Sequence, residues 1–102
     1  YNAAGDINFN NVQNSVDFFV ELKKLKAELA RVAEEEAIDA EIVTDADYQL
    51  TKAIQQAEKE QPNKTTIIEH LNNAKGYLDG VATLAKVATA VAGAIAAASA
   101  LF

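Results

Sequence analysis

The C-terminal stretch VATAVAGAIAAASALF, Val87–Phe102, contains no charged residue and is built almost entirely of alanine, valine and isoleucine. It continues a helical pattern that starts near Lys64, in which apolar residues recur three or four positions apart. One uninterrupted helix over residues 64–101 would be roughly 55–60 Å long, at about 1.5 Å per residue. The fold is therefore decided by what this increasingly apolar helix packs against.

Two shorter amphipathic helices are predicted before the Ala-rich one. From Phe18 to Val32, apolar residues recur at alternating four- and three-residue spacing, and Asn14 is a suitable N-cap. A second, narrower apolar stripe starts at Tyr48 and ends before Pro62, which disfavours helical geometry in the residue that precedes it. Both stripes are typical of helices that bury one face and expose the other.

The opposite face of the first helix carries charged residues. Glu21, Lys23, Lys24, Glu28 and Arg31 lie away from the apolar stripe by their spacing. We expect Glu28 to pair with Lys24, because residues four apart are neighbours on a helix surface. This face is therefore predicted to be exposed.

The expected fold class is all-α, a three-helix unit with a long Ala-rich C-terminal helix and a short extended N-terminal arm. We place the arm, or a strand, at residues 1–14 and a helical domain at residues 15–102. The helices are expected at about residues 16–36, 45–60 and 64–101. Because the third helix is much longer than the first, it either breaks near residues 79–80 or projects beyond its partners.

The N-terminal arm shows a strand pattern. Asp6-Ile7-Asn8-Phe9-Asn10 alternates polar and apolar residues, and Val12 resumes the alternation after an extra Asn11. One strand cannot stand alone. We therefore expect Ile7, Phe9 and Val12 to pair with a second copy or with a missing part of a larger protein, or the arm to lie extended on the helices. A partly ordered leader is an equal alternative.

Composition and charge exclude several functions. The 102 residues include no Cys and no Met, which excludes a disulfide framework and thiolate chemistry. The net charge is −6, with −7 on residues 1–62 and +1 on residues 63–102. Because phosphate contacts need clustered Lys and Arg, the chain is not expected to bind nucleic acid. A start at Tyr1 indicates a processed product or a piece of a longer protein, so a targeting signal would be invisible.

The sequence contains no motif for catalysis, cofactor binding or a small-molecule substrate. The single His70 has no Cys and no second His to complete a catalytic or metal site. Residues 34–47 hold seven acids and no base, but they lack the glycine that a calcium loop needs at its sixth position. We interpret this acidic stretch as a solvated turn between two helices. The protein is predicted to be non-enzymatic, without a metal or a cofactor.

The apolar end of the third helix is expected to be the functional surface. Two shorter helices can cover roughly its first half, which leaves the part beyond Lys86 without a partner if the helix is straight. Small residues spaced four apart, beginning at Gly76, also let helix backbones approach closely. The residues predicted at an assembly or membrane interface are Gly76, Gly80, Leu84, Val87, Val91, Gly93, Ile95, Leu101 and Phe102.

Two kinds of partner fit such a surface. The first is a second copy of the chain, which makes the protein a self-assembling homo-oligomer to which the Asp6–Val12 strand can add a contact. The second is membrane lipid, entered by an effector domain through residues 81–102, which carry the single charge of Lys86. Because alanine is nearly neutral on insertion scales, that span is marginal. We expect a cytoplasmic location, with membrane association under the second hypothesis.

The order of these features resembles a group of small bacterial modules. The opening Gly5-Asp6-Ile7-x-Phe9-x-Asn11-Val12-x-Asn14 is followed by a charged helical hairpin, Pro62-Asn63 and an Ala/Gly-rich end. This is similar to helical modules appended to signalling and defence proteins of filamentous cyanobacteria and actinobacteria. The resemblance implies that the strand is a short self-templating motif that recruits a partner, and that the helices form a bundle acting on membranes. The chain lacks the strongly hydrophobic N-terminal helix of the membrane-permeabilising bundles.

Overall fold

The computed structural model describes residues 7–102, and within that range every regular element is helical. The helices are α1, Ser15–Glu36; α2, Ala40–Ala57; α3, Lys64–Asp79; and α4, Ala85–Leu101. Single turns of 3-10 helix occupy Phe9–Asn11 and Ala82–Leu84. The all-α class is confirmed, but the three expected helices are in fact four, because the long third helix is divided.

The division of the Ala-rich helix falls at Gly80. Helix α3 ends at Asp79, and Val81 is extended, with φ −120° and ψ 112°, before the 3-10 turn that leads into α4. Gly80 itself has helical angles, φ −80° and ψ −3°, so the break does not use the positive φ that glycine permits. The physical reason lies in burial: folding back brings Leu84 and Val91 into the common core, where a straight helix would leave them in water.

Consecutive helices run antiparallel, and α4 returns beside α1. Between α2 and α3, Gln49 contacts His70 and Gln56 contacts Asn63, so the two helices run in opposite directions. At the other seam, the ring of Phe18 near the start of α1 lies 5.3 Å from the ring of Phe102 after α4. Helix α1 therefore packs on α2 and α4, and α3 packs on the same two helices. The result is a four-helix bundle with short connections.

Helix α2 begins at Ala40, five residues before the predicted start. The side chain of Asp39 caps it by accepting a hydrogen bond of 2.8 Å from the backbone N–H of Glu41. Negative residues are favourable in the first turns of a helix because they face the positive end of its dipole. The acidic stretch is therefore largely the end of α1 and the start of α2, and the expected solvated turn shrinks to Ala37–Asp39.

Ala37, in the turn between α1 and α2, is the non-glycine residue with positive φ within the described range, at φ 51° and ψ 46°. A left-handed conformation costs an L-residue roughly 1–2 kcal/mol, which glycine avoids. Glycine also gains entropy in the unfolded chain, which offsets part of this relief. We expect Ala37→Gly to raise the free energy of unfolding by about 0.5–1 kcal/mol in urea titration. The control Ala30→Gly, within α1, should lower it by about 1 kcal/mol, and a loss from Ala37→Gly as well would contradict this account.

Candidate interaction surface

Helix α4 has two chemically different sides. Its inner side packs into the core through residues that are fully or nearly fully buried: Val87, Ala88, Val91, Ala94 and Ala98. Its outer side, called here the outward strip, consists of Ala85, Thr89, Ala92, Ala96 and Ala100. The spacing of three and four places these small residues on one face of the helix. Ala92 is half-buried and the other four are exposed, so the strip is open to a partner.

Some of the predicted interface residues belong to the chain's own core. Leu84, Val87 and Val91 are at most 2% exposed. They were expected at a surface because a straight helix would carry them past the ends of its neighbours. The turn at Ala82–Leu84 brings them back between α1 and α3, so they are out of reach of any partner while the bundle is intact. Ile95, Leu101 and Phe102 are half-buried at the edge of the same core.

Gly76 is exposed on α3, and a Cβ built on it meets nothing within 4 Å. In an exposed helix interior, alanine is more stable than glycine by about 1 kcal/mol. We therefore expect Gly76→Ala to raise the free energy of unfolding by about 1 kcal/mol and to leave the sedimentation behaviour unchanged. Gly80 is also exposed and has the same free space. A Gly76→Ala chain less stable than wild type would contradict the free space described at this position.

The N-terminal arm lies on one flank of α4 and does not form the expected strand. Asp6 and the residues before it lie outside the described range. The side chain of Asn8 accepts a hydrogen bond of 2.9 Å from Asn10 N, which closes a helical turn in place of an extended strand. Ile7, Phe9 and Val12, predicted for strand pairing, pack against the core of the same chain. This matches the alternative in which the arm lies on the helices.

Phe9 is the main contact of the arm. It is 8% exposed, and its Cδ2 lies 3.7 Å from where a Cβ on Gly93 would be. Its ring centroid is 5.9 Å from that of Phe18, which in turn contacts Phe102. Three aromatic rings therefore join the first described turn, Phe9–Asn11, to the end of α4. The sequence signal for this contact was the pairing of a large residue with a glycine in an otherwise Ala-rich helix.

Glu28 is buried, at 2% exposure, and does not pair with Lys24 as the spacing predicted. Lys24 Nζ instead lies 3.1 Å from Glu21 Oε1. The guanidinium of Arg31 donates to Glu28 through Nη2 and through Nε, the latter at 3.1 Å, and through Nη1 to Glu35 at 2.6 Å. These hydrogen bonds, that to Glu28 first, raise the pKa of Arg31 above its usual value. The guanidinium therefore stays charged wherever the protein is folded.

A groove of about 330 Å³ lies beside this ion-pair network, between α1 and the beginning of α4. Its lining includes Glu28, Arg31 and Lys86, so both signs of charge are present. Within the part of the chain that the structure describes, no three His, Cys, Asp or Glu side chains are arranged to hold a metal ion. Glu28 and Arg31 satisfy one another, and the rest of the lining carries both signs of charge, Lys86 beside Glu35 and Glu36, so the groove does not select a ligand of one charge.

His70 holds α3 against α2 through a polar contact. Its Nδ1 lies 2.7 Å from Oε1 of Gln49, so the ring nitrogen donates and the amide oxygen accepts. Asn73 Nδ2 donates to the same oxygen at 3.4 Å. The hydrogen-bond partner of the imidazole is thus the amide of Gln49, a neutral group that does not act as the carboxylate orienting a catalytic histidine does. The arrangement supports a structural contact between two helices.

The segment Ala82–Leu101 is long and apolar enough to cross a membrane, judged by length and composition. In the bundle, 33% of its most apolar 18-residue window is buried. Helix α4 alone has 17 residues, which at 1.5 Å each span about 25 Å, less than the roughly 30 Å of a bilayer core. Spanning a membrane would therefore require the turn at Ala82–Leu84 to straighten and the inner side of α4 to leave the core.

Comparison with known proteins finds no matching family model, no matching curated protein and no matching solved structure. The class of protein is therefore defined by geometry: a small acidic four-helix bundle with one uncharged, small-residue side. Two surfaces of α4 stand out from the rest, the open outward strip and the flank on which the arm lies.

Proposed function

We propose that this protein is a non-enzymatic interaction module whose copies associate through the outward strip of α4. The observation that carries the proposal is the chemistry of the strip, which is exposed and uncharged on a chain with a net charge of −6. Copies of like charge repel each other, and an uncharged face opposes their approach least. Small side chains then let the two helix backbones come close enough to pack.

A second copy suits the strip because the strip is complementary to itself. Its side chains are all alanine or threonine, so two strips facing one another about a two-fold axis meet small residues with small residues. Ala85, Thr89 and Ala92 line a shallow concavity with α3, and the two charged residues in it, Lys75 and Asp79, are paired with each other at 2.9 Å, so they offer a charged partner little. The residues that form the contact are therefore Ala85, Thr89, Ala92, Ala96 and Ala100, in place of the buried Leu84, Val87 and Val91.

We expect Ala92→Glu to weaken the self-association of the full chain by about tenfold or more, because it places an unpaired carboxylate in the contact. Sedimentation equilibrium from micromolar to millimolar concentration measures the effect. Gln55→Glu is the matched control, since it adds the same charge to an exposed position on α2 and should leave association unchanged. A wild-type chain that stays monomeric over the whole range, or equal effects of the two variants, would refute the proposal.

A membrane-inserting effector is the second candidate, and it is favoured by the length and composition of Ala82–Leu101. In this alternative the bundle opens on lipid, and the segment inserts and oligomerises through its small-residue faces. Liposome flotation and dye release separate the two functions. The alternative predicts that the wild-type chain floats with vesicles and releases dye, and that Ala92→Glu does neither. The self-association proposal predicts instead that the wild-type chain stays in the lipid-free fractions.

A further inference from the structure

We propose that the flank of α4 on which the arm lies is a binding site for the same arm of a second copy. This site, called here the arm groove, is formed by Gly93, Ala97 and Leu101 on α4. The occupant is the segment Ile7–Val12, which lies in the groove of its own chain. The inference rests on the self-association proposed above only in naming a second copy as the donor. The groove itself rests on its own contacts.

The groove fits an aromatic side chain. Gly93 has no Cβ, and both Cβ and Cδ2 of Phe9 lie within 3.8 Å of the place that one would fill. The same ring reaches Phe18 at a tilted angle of 60°, one of the geometries that aromatic pairs prefer. The surface of Gly93 and the ring of Phe18 therefore both contact the Phe9 side chain, which favours an apolar, aromatic occupant. Phe9 supplies it from a short segment that crosses the helix.

The arm is held mainly through apolar contacts, which makes exchange feasible. Its hydrogen bonds to α1 run from Asn8 N to Glu21 Oε2 and from Gln13 N to Asp17 Oδ2, both at 3.4 Å, near the long limit for such bonds. Between the arm and α1 the chain is extended at Val12, with ψ 125°, and at Asn14, with ψ 174°, and Gln13 is exposed. Rotation about Val12 and Gln13 moves the arm at the cost of the bond from Gln13 N, while Asn14 still caps α1 by accepting a hydrogen bond of 2.9 Å from Asp17 N.

Space also remains in the groove. A cavity of about 240 Å³, open to solvent, lies between the arm and the alanine wall of α4. An arm that leaves has to break the contacts of Phe9 and the packing of the partly buried Ile7 and Val12. The alanines Ala96 and Ala100 line this cavity and also belong to the outward strip, so the two surfaces adjoin. Copies that meet through the strip bring each arm close to the groove of the other.

Exchange in this geometry replaces each intramolecular contact with the identical intermolecular one, which is the condition for low-cost swapping. The arm of the same chain keeps one advantage over a free arm: its effective concentration at the groove is on the order of millimolar, as for other short flexible linkers. A free arm is therefore expected to bind readily only where the tethered arm has lost its anchoring ring.

A synthetic peptide of residues 5–14, GDINFNNVQN, is titrated into the full-length nitrogen-15-labelled Phe9→Ala chain. We expect saturable shifts of the amide signals of Gly93, Ala97 and Leu101. A peptide carrying alanine in place of Phe9 should bind about tenfold more weakly or not at all, because it loses the buried ring. The wild-type chain should bind the original peptide about fivefold or more weakly, since its own arm competes.

A second variant defines the site. Phe9→Ala/Gly93→Leu fills the groove with a side chain and is expected to lose peptide binding while remaining folded. Absence of these shifts in a folded Phe9→Ala chain, or equal shifts from both peptides, overturns the proposal. If Phe9→Ala proves unfolded, the wild-type chain is titrated to several millimolar peptide, and no shift at Gly93 and Ala97 overturns it equally. Peptide binding and the effect of Ala92→Glu are read out separately, so one can fail without the other.

Discussion

Replacement of Phe18 by alanine is expected to lower the free energy of unfolding by about 3–5 kcal/mol. Phe18 is fully buried, and its ring touches that of Phe9 on one side and that of Phe102 on the other. Truncation therefore removes its own packing and also loosens both ends of the described chain. Since small domains are stable by only about 5–15 kcal/mol, this variant should lie close to its unfolding transition at room temperature.

The matched control for this prediction is the neighbouring residue. Phe19 has the same side chain but is only half-buried, and it lies against Lys23, whose Nζ is 4.9 Å from the ring centroid. Phe19→Ala should cost roughly 1–2 kcal/mol, in proportion to the smaller apolar area that it buries. Urea titration of both variants gives the comparison. Equal losses, or a larger one at Phe19, would mean that α1 is rotated from the orientation described.

The second large effect is expected at Arg31, whose replacement by alanine should destabilise the bundle more than Glu28→Leu does. Arg31 is the more exposed partner, with 44% of its side chain exposed against 2% for Glu28. Removing the guanidinium leaves the carboxylate of Glu28 without its cation, which is unfavourable for a charge that is shielded from water. Glu28→Leu instead removes the buried charge, and Arg31 keeps Glu35 at 2.6 Å. Its stability should stay within about 1 kcal/mol of wild type.

The double variant isolates the cause. Arg31→Ala combined with Glu28→Leu should recover most of the stability that Arg31→Ala loses, because no charge is then left buried. Lys24→Ala, which removes the partner that the spacing predicted for Glu28, should change stability by less than about 0.5 kcal/mol. Chemical denaturation of the four variants gives the free energies of unfolding that this comparison needs. A double variant no more stable than Arg31→Ala would show that the carboxylate is not the source of the loss.

Helix α1 is the element that the sequence predicted best. Phe18, Leu22, Leu25 and Leu29 are all fully buried, as their four- and three-residue spacing required. Large apolar residues on one face and charged residues on the other leave a helix only one orientation against a core. The same contrast operates in α3, where Ile67, Leu71 and Leu78 are buried.

The orientation of helix α4 could not be predicted from the spacing of apolar and charged residues in the same way. Alanines occupy both its inner and its outer side, so the two sides differ little in polarity, and the larger Val87 and Val91 are the main sign of which side faces the core. The choice is made by the turn at Ala82–Leu84, because that turn sets the angle at which α4 returns to the bundle. The predicted interface therefore includes Val87 and Val91, which are buried, and does not include Thr89 and Ala96, which are exposed.

The conformation of the arm and the burial of Glu28 differ from the sequence prediction for two further reasons. Alternation over Ile7–Val12 is a strand signal only if a partner strand exists, and a local cap from Asn8 together with the burial of Phe9 stabilises a helical turn instead. Glu28 lies at the margin of the apolar face of α1, where a charged residue is buried only if α4 covers that margin. Both outcomes depend on tertiary packing that local spacing does not contain.

Thiol accessibility tests the two-sided nature of α4 most directly, because the chain contains no cysteine of its own. Single variants Thr89→Cys, on the outward strip, and Ala94→Cys, on the fully buried inner side, are reacted with a maleimide at low and at high protein concentration. We predict that Thr89→Cys reacts rapidly when dilute and is protected when concentrated, whereas Ala94→Cys is protected at both. A reaction rate for Thr89→Cys that does not change with concentration, or an Ala94→Cys that reacts as fast as Thr89→Cys, would contradict the account.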